Sequence, residues 1–323
     1  MLIVGALLMA AAGLVFAFTR NFIFLAIAGT IGVISPSGNE VGPFIAIEQA
    51  ALSEIVPASS RTSVFAWYTL AGAFATAAGA LTAGFVASAF GEHVVVVAYA
   101  VFGVLLAVLF SRVSSSAEVA PAGAAVEERH GKTPPVVFRL AGLFALDAFG
   151  GAFVVQSFAA YWFYLRFGVA PATLGGIFFG ANAFAGLSAL VAARLAARFG
   201  LVRTMVFTHL PSNILLILVP LMPNLRLAIL MLLLRFSISQ MDVPTRQSYT
   251  MAVVKPHERS AAAGITGVAR TTGAAIAPVF AGMLFARPSL IDLPFFIAGG
   301  LKIIYDLMLY RAFVNVQPDH ESR

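Results

Sequence analysis

No cysteine occurs among the 323 residues, which excludes disulfides, thiolate metal sites and thiol nucleophiles and says nothing of compartment in a chain this apolar. Charge is scarce too: Asp, Glu, Lys and Arg make 11% of the residues against 60% hydrophobic ones, and the mean hydropathy is +0.93. A soluble domain carries roughly a quarter charged residues, so this chain belongs in a bilayer. The five histidines are scattered over loops and span ends without metal-ligand spacing. No glycine-rich loop closes on Lys-Ser/Thr to hold a nucleotide phosphate. No set of Asp or His residues gathers at one membrane face for metal-assisted catalysis. A membrane-embedded enzyme is thus the weaker alternative, and neither cofactor nor metal is expected.

What is present is a succession of apolar runs of roughly 18 to 28 residues, each long enough to cross about 30 Å of hydrocarbon as a helix. The runs lack the alternating polarity of barrel strands, and lipid tolerates no unpaired backbone groups, so they are helices. Ten spans are predicted: Met1–Phe18, Phe22 to about Ile45, Thr62–Ser88, His93–Ser111, Val136–Leu165, Ala172–Ala196, Val202–Met222, Leu225–Ala252, Ser260–Ala286 and Pro294–Phe313. The first run has no basic leader and no clear small-residue cleavage site, so it reads as a true span rather than a signal peptide. With that span running outward, Arg61, Arg112, Arg129, Lys132, Arg139, Arg194, Arg198, Arg203, Arg246, Lys255, Arg259, Arg311 and Arg323 fall at cytoplasmic ends or loops, and Arg20, Arg166, Arg226 and Arg287 fall outside. This bias predicts both termini in the cytoplasm and a place in the cytoplasmic membrane. It also accounts for the isoelectric point near 10.0 without any nucleic-acid partner.

One stretch occurs twice. Glu40-Val41-Gly42-Pro43, Pro57, Arg61 and a small-residue helix ending at Gly84 return as Asp242-Val243-Pro244, Pro256, Arg259 and a small-residue helix ending at Gly282, with Arg61 to Arg259 and Gly84 to Gly282 both separated by 198 residues. So long a period suits two similar halves of one membrane domain rather than a solenoid. The polar stretch Arg112–Pro135 reads as a flexible cytoplasmic linker, with four spans before it and six behind. The organisation expected is a partial N-terminal bundle over 1–111, the linker over 112–135, a six-helix bundle over 136–313 and a cytoplasmic tail over 314–323. The simplest account is a six-plus-six design whose first two helices are absent from this chain.

Two parallel six-helix halves joined by a cytoplasmic linker resemble the major facilitator superfamily of secondary transporters. The loop Arg194-Leu195-Ala196-Ala197-Arg198-Phe199-Gly200-Leu201-Val202-Arg203 is similar to the degenerate second copy of that family's signature loop: it keeps Arg198, Gly200 and Arg203 and has Ala197 where the acid would stand. The resemblance implies an all-α two-bundle fold, matching the third to twelfth helices of the pattern. It implies alternating access, a gating role for Arg198, Gly200 and Arg203, and a monomer whose partners are membrane lipid, a small-molecule substrate and protons. A non-transporting or regulatory relative is the alternative.

Ionisable side chains deep in lipid are costly and face a partner or a wet cavity. Asp147, Arg235 and Arg270 each lie about 10 residues into their spans, roughly 15 Å deep at 1.5 Å per residue, on helices that the resemblance makes cavity-lining. They are candidate substrate-binding residues, with Gln156 and Asn182 beside them and an arginine engaging an acidic part of the solute. An Asp147 to Arg235 ion pair that only joins helices is the competing reading. Glu40 and Asp147 are candidate proton-coupling residues, since desolvation makes a carboxylate's charge switchable. Asp242 and Arg246, one turn apart, are expected to pair, as are Lys302 and Asp306. Tyr161-Trp162-Phe163-Tyr164 reads as an aromatic belt at the outer interface. Gly72, Gly79, Gly84, Gly264, Gly267, Gly273 and Gly282 read as points of close helix approach or bending, with Pro278 a kink. The solute class expected is drug-like or anionic.

Overall fold

The computed structural model describes residues 2–31, 61–112, 135–254 and 259–316. These form helices α1 (Leu2–Phe18), α2 (Phe22–Ile31), α3 (Arg61–Phe90), α4 (Glu92–Phe110), α5 (Pro135–Gly151), α6 (Gln156–Phe167), α7 (Pro171–Phe199), α8 (Leu201–Leu218), α9 (Leu225–Ser239), α10 (Asp242–Ala252), α11 (Arg259–Phe285) and α12 (Leu293–Phe313), with short 3-10 turns at Ala152–Val154, Val219–Leu221 and Pro288–Leu290. There is no strand among the described residues. Among the described residues, seven helical stretches are long and apolar enough to cross a membrane: Leu70–Phe90, Glu92–Phe110, Pro135–Phe167, Pro171–Phe199, Leu201–Leu221, Leu225–Thr250 and Gly264–Phe285. The helix Leu2–Phe18 is apolar but shorter. α12 is 21 residues long and carries Lys302, Asp306 and Arg311.

The chain divides into two compact units. The first takes Met1–Ala71, Ala78–Arg129 and Ala170–Gly176; the second takes Gly72–Ala77, His130–Val169 and Ile177–Arg323.

Within the first unit α1 packs along α4, and small residues make that possible. A Cβ added at Gly13 would stand 2.8 Å from the Ala100 Cβ, and one at Gly103 would stand 2.6 Å from the Ala10 backbone nitrogen. Where lipid removes the hydrophobic drive between helices, such backbone approach is a main source of association. Gly84 is as tight, its absent Cβ 2.7 Å from the Gly175 Cα, and the Ser88 hydroxyl beside it accepts the Ala172 N–H at 2.9 Å. Of the glycines read as points of close approach or bending, only some are close contacts. Gly72, Gly79, Gly264, Gly267 and Gly282 face open space, whereas Gly84 and Gly273 are pressed, the latter against the backbone of Ala145.

The second unit packs α5 against α11 and α12, and α8 against α9, α10 and α12. Its core gathers Leu140, Leu143 and Phe144 of α5, Met205 and Val206 of α8, Tyr249 of α10, and Tyr305, Leu309 and Phe313 of α12. α7 and α8 are joined by Gly200 alone, whose φ of 85° with ψ of 161° is a conformation essentially restricted to glycine. Trp162 and Phe163 are fully buried, against the belt reading, because Trp162 donates its Nε1–H to Asp292 Oδ1 at 2.7 Å and packs at a tilt against the Phe295 ring. Tyr161 and Tyr164 stay exposed.

Candidate functional site

Two spans of the second unit are interrupted. In the fifth, α5 ends at Gly151, a 3-10 turn follows, Val155 is extended, and α6 restarts at Gln156. The bare backbone at Gly150 and Gly151 admits α12: a Cβ at Gly151 would stand 3.0 Å from the Lys302 Cε, and one at Gly150 would stand 3.0 Å from the Leu301 Cβ. In the eighth, α9 ends at Ser239 and α10 restarts at Asp242. Pro244 has no N–H to give, which a first helical turn tolerates and a helix interior does not. Asp242 then sets its carboxylate at the helix N-terminus, where negative charge is favoured. Irregular backbone at membrane depth is tolerated only where protein or a wet cavity covers it.

Between these interruptions lies a cluster of buried charge. Asp147 Oδ1 accepts from Lys302 Nζ at 2.5 Å, and Asp147 Oδ2 accepts from an Arg246 guanidinium nitrogen at 3.1 Å. The same nitrogen donates to Asp242 Oδ2 at 3.0 Å, and the guanidinium lies 5.6 Å from the Phe144 ring centroid. On the other side, His209 Nδ1 is 2.8 Å from Asp306 Oδ1, Asn213 Nδ2 donates to Asp306 Oδ2 at 2.9 Å, and Lys302 Nζ stands 3.4 Å from His209 Nε2. Asn213 Nδ2 is also 3.2 Å from His209 Nδ1. An ammonium only donates and an ionised carboxylate only accepts, so with Asp306 ionised the neutral imidazole carries its proton on Nδ1 and its lone pair on Nε2. His209 Nε2 is also 3.8 Å from Asp147 Oδ1. None of Asp147, His209, Asp242, Arg246, Lys302 and Asp306 is more than 8% exposed, so solvent screens these pairs little.

Asp147 therefore sits at the centre of the cluster. Arg235, on α9, is within the electrostatic reach of Asp242 and Asp147. Its guanidinium lies 5.0 Å from the neighbouring Phe236 ring, and its buried Nε has no hydrogen-bond partner among the described residues. Gln156 and Asn182 are brought together: Asn182 Nδ2 donates to Gln156 Oε1 at 3.1 Å and to the Phe178 carbonyl at 2.8 Å. Arg270 is half-buried on α11 and engaged in an interaction of its own. Arg198 and Arg203 are exposed on either side of Gly200, with Arg198 over the Phe199 ring. Glu40 lies outside the described residues.

Four readings change. Asp147 pairs with Lys302 and Arg246 rather than Arg235, because those two reach it from adjoining helices. Lys302 and Asp306 do not pair with each other, since each finds a partner across the bundle at shorter reach. His209 is no span-end residue but buried mid-helix, and Arg246, counted among the basic residues of span ends and loops, is buried among helices. The expected Asp242 to Arg246 pair is present. The overlooked signal was His209 with Asn213, a third polar pair four apart beside Asp242 with Arg246 and Lys302 with Asp306. Such spacing puts each pair on one helical face.

Long apolar helices, interrupted spans and a charge cluster at their depth define a multi-pass membrane protein of the transporter class. The chain belongs to the Major Facilitator Superfamily, which it matches over residues 1–278 and 140–323. It is 29% identical over 357 residues to an uncharacterised membrane protein of Saccharomyces cerevisiae, YJR124C, covering 98% of this chain and 80% of that one. Its fold is that of a bacterial homologue of the human lysosomal transporter Spinster in an inward-facing, occupied conformation, at a TM-score of 0.68 and 16% identity, covering 97% of this chain and 82% of the other. A bacterial homologue of the iron transporter ferroportin, in an outward-facing state, is similar at a TM-score of 0.57 and 15% identity, covering 95% and 81%.

Proposed function

We propose that this chain moves a small organic solute, drug-like or anionic, across the cytoplasmic membrane by alternating access, coupled to protons. The observation that carries the reading is the buried cluster centred on Asp147. A buried ion pair is often no more stabilising than apolar residues of the same volume, and ionisable groups at membrane depth characteristically mark solute and ion pathways. Arg235 supplies the anion chemistry: the residue is half-buried, and its buried Nε has no hydrogen-bond partner among the described residues. Asp147, Gln156, Asn182, Arg235 and Arg270 are the proposed solute-binding set, with Glu40 and Asp147 in proton coupling and Arg198, Gly200 and Arg203 in gating. That similar folds occur inward-facing and outward-facing supports alternating access. The basic bias of the predicted inner ends supports cytoplasmic termini.

The test is reconstitution of the full chain in liposomes with an imposed pH gradient. The probes are a panel of monocarboxylates, sugar phosphates and amphiphilic cationic dyes. Accumulation of one panel class that collapses with the gradient is the expected result. Accumulation indifferent to the gradient removes proton coupling, and a folded protein that moves no member of the panel overturns the reading.

A further inference from the structure

We infer that Nε2 of His209 is the binding site of the coupling proton, and that its occupancy decides which helix Asp147 holds. The inference rests on the proton-coupled reading above and deepens it by naming the site and what the proton changes.

The first ground is that the imidazole presents a single free lone pair. Its Nδ1–H is committed to Asp306, which Asn213 holds from the other oxygen. Nε2 looks toward Lys302 Nζ at 3.4 Å and toward Asp147 Oδ1 at 3.8 Å. At 3.4 Å the hydrogen bond from Lys302 is long and weak, so this lone pair is readily given up. Histidine is also the residue type whose unperturbed charge change falls between about pH 5 and 8.

The second ground is what the added charge does. A proton arriving from water forms one N–H bond at Nε2, breaks no covalent bond, and raises the cluster's charge by one. Lys302 then loses its acceptor on the ring and faces a second cation at the same 3.4 Å, a repulsive arrangement little screened at this burial. Asp147 Oδ1, already 3.8 Å from Nε2, accepts the new N–H as Lys302 withdraws along the glycine backbone of Gly150 and Gly151. Before loading, Asp147 ties α5 to α12. After loading it ties α5 to α8. Arg246 holds the other Asp147 oxygen throughout.

α12 also brings Tyr305, whose ring meets His209 edge-on at 5.9 Å, and α10 brings Asp242 paired to Arg246. α9 brings Arg235, and Arg203 and Arg311 stand exposed at the ends of α8 and α12.

The proton is itself the probe. Liposomes carrying the full chain, adsorbed on a solid-supported membrane without any organic solute, are jumped from about pH 8 to about pH 5.5, across the range in which histidine as a residue type titrates. The expected result is a transient displaced charge that is lost in His209→Gln and kept in His93→Gln. A full transient in folded His209→Gln overturns the site. Should His209→Gln not fold, a protein with His93, His130, His257 and His320 all changed to Gln leaves His209 alone for ¹⁵N NMR in nanodiscs. An Nδ1–H tautomer at alkaline pH that becomes doubly protonated on acidification supports the site. A ring that begins as Nε2–H, or stays singly protonated, overturns it. The two readings fail separately. If wild type accumulates a panel solute on a pH gradient and folded His209→Gln does so equally, the site falls and coupled transport stands. If His209 loads a proton but no solute follows the gradient, the coupled reading falls.

Discussion

Asp147 holds Lys302 of α12 at 2.5 Å with one oxygen and Arg246 of α10 at 3.1 Å with the other, so one carboxylate joins three helices. The two cations are not equivalent to it. Lys302 depends on Asp147 for its carboxylate contact, while Arg246 has Asp242 as well.

Removing the shared acceptor should therefore cost more than removing either donor. Asp147→Asn leaves Lys302 buried without its direct carboxylate contact, and breaking a buried pair in this way costs about 3–5 kcal/mol. Lys302→Gln leaves Asp147 its bond to Arg246 and should lose clearly less. Chemical or thermal unfolding in a fixed detergent orders the two variants, and equal losses would mean that Arg246 does not compensate.

Arg235→Gln tests the anion role apart from folding. A charge-assisted hydrogen bond is worth about 1.5–3 kcal/mol, so apparent affinity for an organic anion should fall roughly tenfold to a hundredfold. Thermal stability should stay near wild type, because the buried Nε makes no hydrogen bond with the described residues. Unchanged affinity would remove Arg235 from the solute site.

Gly103→Ala and Gly72→Ala form a matched pair. A methyl at 103 meets the Ala10 backbone at 2.6 Å, an overpacking that costs about 1–3 kcal/mol. A methyl at 72 meets nothing within 4 Å and should stabilise by up to about 1 kcal/mol through helix propensity. Melting temperatures of opposite sign are the expected outcome.

Gly200→Ala forces a side chain into a backbone conformation that L-residues rarely adopt, at a cost of order 1–3 kcal/mol. The loss should appear in stability without any change at the cluster, since Asp147 and His209 stand well along their own helices. A neutral result would show that the α7 to α8 turn can take another shape.

Helices and membrane placement were legible in the sequence because apolar run length is a direct measure of bilayer thickness. Asp147 was legible for the same reason, a lone acid deep in such a run. Its partners were not. Lys302 looked self-neutralised by Asp306 four residues on, and only packing shows that Asp306 is taken up by His209 and Asn213. The interruptions at 152–155 and 240–241 were invisible to run length, which continues across both. Their local marks, Gly150-Gly151 and Pro244, are common in membrane helices for other reasons.

Gly200 has a mechanical consequence. A link of one residue between α7 and α8 leaves no slack, so the near ends of the two rods are pinned as at a crank. A displacement of the near end of α8, which carries His209, must be shared by the near end of α7, which carries Asn182 and through it grips Gln156 at the break of the fifth span.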